Sequence, residues 1–591
     1  MTAAPFDETT ERGFWPPWRG VSSHLWWMER AFERTRSSGR VEDDTRLRIF
    51  FVLALFAAGF FTLGLGATKA ALFSGLDREG ALSAVSPGAR ADLVDRNGEI
   101  LAMDLIHYGL YVDPREVSDK AATQAALLAT APRISPQRLA KILAGNKEEY
   151  VIGGLTPEVK GRLHDLALPG LTFQEESARA YPLGQTGAHI IGFSGKDGAG
   201  LAGAEKAFDA QARAEAGKAQ IPLAIDLHVQ GALQDELQAA AAHFQVKDAI
   251  GMVVNVRTGE ILGMASYPVF DANDPGKTSP DALVNHAAQT VYEPGSVFKV
   301  FTLAMGLDTG LVDVNTLFNV CSPLVLPGQI IHDYDKGDCS LHLWEVFTHS
   351  SNIGAAKMAI QVGGDHESKY FHDFGLFERA PSELAESARP LTVKRMTENA
   401  VASMAFGHSI SVSPLALATG MSAILNGGVY RPLTLRKLEP GQAPARGRRV
   451  IQASTSRTML NLMRLNGTNG TGRNADAQAP GYRVGGKTGT ATKLVNGHYS
   501  KGKLNLASFA AIFPTDGPLD ADRYYVLVMM DEPKAMPETG GFTTGGAVSA
   551  PIAGKIIARI APFLGVRRVL TAADSGPKPP VDPSTLSGNE R

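Results

Sequence analysis

The feature that most constrains this chain is the run Ile49 to Thr68, IFFVLALFAAGFFTLGLGAT, twenty consecutive residues without a charge. At about 1.5 Å of rise per residue, a helix of this length reaches across the ~30 Å hydrocarbon layer of a bilayer. A helix buried in a soluble core would carry a polar face somewhere along its length, and this one has none. A cleaved signal peptide has a shorter apolar stretch behind a short basic head, whereas 48 residues precede this run. The sequence therefore predicts an uncleaved anchor over 49–68. Lysine and arginine set its orientation. Arg30, Arg34, Arg36, Arg40, Arg46 and Arg48 precede it, and only Lys69 and Arg78 fall in the twenty residues that follow. The expectation is a cytoplasmic head over 1–48, a single pass through a membrane, and an extracytoplasmic remainder.

That placement narrows the chemistry. With 58 basic and 60 acidic residues and a net charge of −2, there is no clustered basic excess of the kind a nucleic acid requires. Two cysteines, Cys321 and Cys339, rule out a disulfide scaffold and a four-cysteine zinc site. In an oxidising compartment they can bridge, or remain two buried thiols. The fourteen histidines are scattered and form no HExxH motif or close Cys/His cluster, so no metal and no cofactor is expected. Four of the five tryptophans, Trp15, Trp18, Trp26 and Trp27, crowd the head. A helix capped by Ser22 or Ser23 would align Leu25, Met28 and Phe32 on one stripe. It reads either as a surface-lying helix or as a short helix in a disordered tail.

Beyond the anchor, residues 69–225 alternate strand-like runs such as RADLVDRNGEILAMDL with Gly-rich loops, and are expected to form an extended β-rich pedestal. From 226 to 566 the pattern changes. AIGMVVNV and GEILGMASY suit buried strands, segments near 229–243, 297–309, 344–361 and 413–426 suit helices, LASFAAIF and YYVLVMMDEP suit late strands, and a helix is expected at 551–563. Strands, then helices, then strands predict an α+β fold with a mainly antiparallel sheet flanked by helices. Residues 567–591, with Pro577, Pro579, Pro580 and Pro583, read as a disordered tail.

Three short motifs then occur in order: Ser296-Val297-Phe298-Lys299, Ser350-Ser351-Asn352 and Lys487-Thr488-Gly489-Thr490. Singly they are weak. Ser500-Lys501-Gly502-Lys503 and Ser587-Gly588-Asn589 repeat two of the patterns in polar or tail contexts. Ser296 follows Glu293-Pro294-Gly295 and precedes an apolar helical run, which puts its hydroxyl at a helix N-terminus where negative charge is favoured. A serine hydroxyl needs a base to become a nucleophile, and Lys299 lies one helical turn on. A lysine acts as a base only when neutral, a state that burial and a second cation, here Lys487, both favour. Ser350 can relay a proton, and the Asn352 amide both donates and accepts. For each, a capping or solvated residue is the plain alternative.

Gly481 to Thr488, GYRVGGKT, also satisfies the phosphate-cradling pattern G-x-x-x-x-G-K-[ST]. That pattern requires a strand before and a helix after. Here a polar loop precedes, and a Thr/Gly-rich stretch with an Asn-Gly turn follows, which favours a strand and hairpin. On a strand edge, Lys487 supplies a cation, Thr488 and Thr490 supply hydroxyls, and Gly489 permits close approach of a substrate backbone.

The triplet SVFK, SSN and KTGT resembles that of the penicillin-binding proteins and serine β-lactamases. The similarity runs from about Arg90 to Val566 and includes VDRNGEILA, RAYPLGQTGAHIIGF, VYEPGSVFK and AFGHSISVSPLALA. Anchor, pedestal and one transpeptidase domain resemble the class B members. The late segments SFAAIFP, YYVLVMMDEPK and APIAGKII look most like the division-specific type, with the elongation-specific type as rival. GAEKAFD departs from the family's usual Gly-Leu-Glu wording, and NHAAQ stands where Asn-Arg is usual.

The resemblance implies a peptidoglycan D,D-transpeptidase that crosslinks stem peptides through an acyl-enzyme on Ser296 and is acylated by β-lactams. Lys299 would be the base, Ser350 and Lys487 would pass protons, and Asn352 would position them. The N–H groups of Ser296 and Thr490 would form the oxyanion hole, where a lost donor costs ~2.7–4 kcal/mol. Thr488 and Thr490 would hold the substrate carboxylate. A glycan-polymerising membrane partner and other division proteins are implied as well. A β-lactam sensor or hydrolase on the same fold, and a non-catalytic division scaffold, remain the competing readings.

Overall fold

The computed structural model describes Val52 and residues 54–63, 89–195, 197–334, 338–495, 498–500 and 504–569. Residues Met1–Val85 and Ser86–Arg591 are separate compact units. In the first, Val52 and 54–63 are helical, and Leu55, Phe56, Phe60, Phe61 and Leu63 are exposed. No helix among the described residues is long and apolar enough to cross a membrane. The tryptophan-rich head, the rest of the 49–68 run, Lys501–Lys503 and the tail with Ser587–Asn589 lie outside the described residues.

The second unit holds two main sheets. In the first, β2 (Ile100–Val112) pairs antiparallel with β1 (Leu93–Val94), β3 (Glu149–Leu155) and β4 (Leu171–Ala180), and β1 pairs parallel with β5 (Ile221–Pro222). Helices α1 (Lys120–Thr130), α2 (Pro136–Leu143) and α3 (Pro157–His164) start where Asp119, Ser135 and Thr156 accept backbone N–H groups; Pro136 and Pro157 occupy the first turn, where a missing donor does no harm. Leu127, Leu139 and Leu163 from these helices close a small core with Leu110, Val112 and Val151.

The second sheet is larger. Its strands are β6 (Asp248–Asn255), β7 (Ile261–Tyr267), β8 (Gly485–Thr492), β9 (Asn505–Phe513) and β10 (Tyr524–Asp531). They run in the order β8-β9-β10-β6-β7, antiparallel throughout. Every residue of β6 and β10 is buried, because both faces are covered. Ala249 and Val253 point toward α4 (Leu227–Phe244) and α9 (Ser549–Ile560). Ile250, Met252 and Val254 point to the opposite core, shared with α5 (Lys299–Asp308), α7 (Pro414–Leu425) and α8 (Ala453–Asn469). A strand with two apolar faces reads as an unbroken apolar run, which is why these strands were visible in the sequence. The mixed α+β class and the helix-flanked antiparallel sheet agree with expectation.

One predicted helix differs. The segment 344–361 is two helices, Leu343–Thr348 and α6 (Asn352–Val362). The chain breaks at Ser350, whose φ is 59°. Ser351 then restarts the helix as N-cap, accepting from Gly354 N–H at 2.9 Å. Cys321 and Cys339 are joined by a disulfide, and the loop they close carries Asp333.

Candidate active site

Pro294 and Gly295 turn the chain into a 3-10 segment, Gly295–Phe298, that feeds α5. Gly295 has φ 56°, a conformation that only glycine adopts readily. Its N–H donates to the carbonyl of Gly407 at 3.3 Å. A Cβ on Gly407 would lie 2.2 Å from the Gly295 oxygen, so two glycine backbones meet here and hold the turn that presents Ser296.

Lys299 follows one turn later and is fully buried. Its Nζ lies 3.0 Å from Ser296 Oγ, 3.2 Å from Ser350 Oγ, 2.7 Å from Asn352 Oδ1 and 2.6 Å from the Ser350 carbonyl. The break between the two helices makes this possible. The left-handed residue at Ser350 turns both its hydroxyl and its carbonyl inward. Lys487, also fully buried, reaches in from β8. Its Nζ lies 2.8 Å from Ser350 Oγ and 3.2 Å from the Thr488 carbonyl. The Ser350 hydroxyl therefore bridges two amines, and the structure brings Ser296, Lys299, Ser350, Asn352 and Lys487 into one cluster.

Neither amine forms an ion pair with a described carboxylate, and both are pushed toward neutrality. Burial lowers the pKa of Lys299 well below the ordinary lysine value, the nearby Lys487 charge lowers it further, and Asp333 opposes both. Burial brings Lys487 down to about 7. A neutral amine 3.0 Å from a serine hydroxyl is placed to accept its proton.

The third motif lies on β8, an edge strand that among the described residues pairs only with β9, in the register Lys487↔Ala510 to Thr490↔Ala507. Because this segment is a strand and no helix follows it, its amides cannot form a phosphate cradle. Crowding at Gly489 comes from the protein itself: a Cβ there would lie 2.2 Å from Ser508 Oγ and 2.8 Å from the Pro294 carbonyl. The hydroxyl of Thr488 donates to Thr471 Oγ1 at 2.8 Å, and that of Thr490 accepts from Gly545 N–H at 3.1 Å.

Four contributors went unseen in the sequence. Asp333 accepts from Ser351 Oγ and from the N–H groups of Asn352 and, at 2.9 Å, Ile353. It thus caps α6 and fixes the second motif. Thr471 partners Thr488 and also meets Asn466 Oδ1 at 3.2 Å. Asn466 in turn donates to the Gly486 carbonyl at 2.7 Å. Gly545 lies so close to β8 that a Cβ would sit 2.4 Å from the Gly489 oxygen. None of the four stands at a fixed spacing from a motif, so no local signal marks them.

Residues 249–558 match the family described as penicillin binding protein transpeptidase domain, and residues 85–238 match the penicillin-binding protein dimerisation domain. The chain is 51% identical over 570 residues, 95% of its length and 96% of the relative's, to a probable peptidoglycan D,D-transpeptidase FtsI of Caulobacter vibrioides. It is 30% identical over 502 residues to the peptidoglycan D,D-transpeptidase FtsI of Escherichia coli K12, covering 79% of this chain and 82% of that one. It is also 30% identical over 524 residues to stage V sporulation protein D of Bacillus subtilis, covering 81% and 79%.

Proposed function

The chain belongs to the class B penicillin-binding proteins of the FtsI type, and from that premise we propose that it is a serine peptidoglycan D,D-transpeptidase of the division septum. Ser296 Oγ attacks the carbonyl between the two terminal D-alanines of a stem peptide while Lys299 Nζ takes its proton. The backbone N–H groups of Ser296 and Thr490 hold the oxyanion. Collapse of the tetrahedral intermediate breaks the peptide bond and expels D-alanine. Its nitrogen takes a proton through Ser350, which is held between Lys299 and Lys487. The acyl group stays on Ser296 until a side-chain amine of a neighbouring stem peptide attacks it. That step forms the crosslink and returns the proton to Ser296. Asn352 positions the Lys299 amine. The open edge of β8 accepts the extended substrate as a further strand. The Thr488 and Thr490 hydroxyls turn from Thr471 and Gly545 to the terminal carboxylate.

The observation that carries this reading is the 3.0 Å approach of Lys299 Nζ to Ser296 Oγ in a buried site where no described carboxylate pairs with the amine. Labelling of membranes with a fluorescent penicillin tests it. Wild-type chain is labelled and Ser296→Ala is not, and an unlabelled wild type overturns the assignment. The adduct is long-lived, whereas rapid turnover would instead identify a β-lactamase.

On the same reading the run 49–68 is a single inner-membrane anchor with the head, 1–48, in the cytoplasm. Residues 69–225 form the pedestal, 226–566 the transpeptidase domain and 567–591 a tail. A glycan-polymerising membrane enzyme and other division proteins are its partners. Septal placement is checked by depletion: filamentation supports division, and rounding supports the elongation-specific role.

A further inference from the structure

Away from the serine cluster, a second group of titratable side chains gathers where β6 begins. Asp248 opens β6, Asp281 starts the 3-10 turn Asp281–Leu283, and His286 starts the helical turn His286–Gln289. One potential ligand atom from each lies within 4.8 Å of the other two. The His286 and Asp248 side chains are only 6% and 5% exposed, while Asp281 is exposed.

The contacts around them leave a gap. His286 Nδ1 lies 2.9 Å from Thr290 Oγ1. Among the described residues, His286 Nε2 and Asp248 Oδ1 each lack a hydrogen-bond partner, and they face one another at 3.6 Å, beyond hydrogen-bonding range. Two cations lie nearby, one on Asp248 itself and one engaged elsewhere. Lys247 Nζ lies 3.7 Å from the other oxygen of Asp248. Lys493 pairs with Asp531 and Glu532, and Asp531 sits directly across from Asp248 in the β10–β6 register. Buried polar atoms are almost always satisfied, so two unpartnered ones facing each other beside a third carboxylate point to a missing cation.

We infer that Asp248, Asp281 and His286 form a binding site for a divalent first-row transition ion of the zinc class. One imidazole nitrogen and one oxygen from each of two carboxylates suit such an ion, with water completing its coordination. In the ligating tautomer His286 Nδ1–H donates to Thr290 Oγ1, 2.9 Å away, and the Nε2 lone pair is turned toward the carboxylates. Asp281, on the surface, provides the entry path. The ion ties the start of β6 to the segment that continues through Tyr292 and Glu293 to Ser296, and so braces the nucleophile's approach without entering its chemistry. The sequence predicted no metal because these three ligands share no motif and come from separate elements.

The test uses the full chain in detergent, stripped with a chelator and titrated with Co²⁺ and then Zn²⁺. The expected result is one saturable equivalent of Co²⁺ with visible d–d absorption, displaced by Zn²⁺, and a higher melting temperature with metal than without. Asp281→Asn alters only the exposed ligand, and His286→Arg places a permanent cation between the carboxylates. Each is expected to unfold cooperatively and to bind Co²⁺ at least tenfold more weakly. Absence of a saturable equivalent in the wild type, or unchanged affinity in either variant, overturns the inference.

Discussion

The pedestal and the serine cluster both bury cations, and they treat them in opposite ways. At the root of the pedestal, Arg90 and Arg179 both pair with the fully buried Glu205, at 2.8 and 2.7 Å. Arg90 also pairs with Asp209, and Arg179 with Asp104 at 3.1 Å. In the transpeptidase domain, Lys299 and Lys487 are equally buried but are surrounded by hydroxyls, carbonyls and an amide. The two arginines keep their charge and are matched by carboxylates; a buried lysine without one is pushed toward its neutral form. The first arrangement is structural. The second leaves its amines pushed toward neutrality, as the proposed base requires. Burial by itself does not distinguish the two, but the presence or absence of an acid partner does.

The most severe way to break this contrast is to remove the base. Lys299→Met is expected to slow penicillin acylation of Ser296 by about 10³-fold or more, with no loss of melting temperature, because a buried amine is replaced by an apolar chain of similar length. Time-resolved labelling alongside thermal unfolding checks both halves. Rapid acylation in this variant would remove Lys299 from the mechanism.

Next in size is the converse change in the pedestal. Glu205→Gln leaves two buried guanidinium groups short of their shared partner and should destabilise the chain by about 3–5 kcal/mol, while the folded fraction still acylates at the wild-type rate. Denaturant unfolding read against labelling of native protein separates these effects.

A smaller effect is expected at Asp333, which links the two kinds of electrostatics. Asp333→Asn weakens the cap of α6 and should slow acylation by about tenfold, equivalent to about 1.4 kcal/mol. It also removes the one charge that raises the pKa of Lys299. The low-pH limb of the acylation profile should therefore move to more acidic pH, a shift that a purely structural role would not produce.

The mildest test is pH itself. A base whose pKa is depressed on folding is neutral above that pKa, so activity is retained at higher pH and lost as pH falls through it. Lys487, brought to about 7, takes up a proton as pH falls through that value and can no longer relay one through Ser350, so acylation should decline below about pH 7, by up to about tenfold per unit. A flat profile from pH 8 to pH 5 would contradict the neutral-amine site.

Much of this could be read from the chain before any coordinates. The pair Ser296 and Lys299 is legible because one helical turn fixes their separation. Strands β6, β7, β9 and β10 are legible because double-sided burial leaves an unbroken apolar run. The edge-strand reading of Lys487 to Thr490 followed from the residues on either side. The stretch 344–361 reads as helical and Ser350-Ser351-Asn352 as a helix start, and Ser351 is indeed the local cap of α6; nothing local announces the break at Ser350 or that Asp333, across a disulfide-closed loop, accepts the N–H groups of Asn352 and Ile353. Thr471 and Gly545 were equally silent, since their importance comes from the strand they touch rather than from their neighbours in sequence.

The amino-acid order by itself determined which groups could react and which segments would form the sheet, since helical spacing and strand alternation are short-range properties. Only the tertiary structure decided that two lysines 188 positions apart would share one serine hydroxyl without a carboxylate between them, while two arginines would share a glutamate. Protonation depends on desolvation and on neighbouring charge, and both are set by which distant segments the fold brings together.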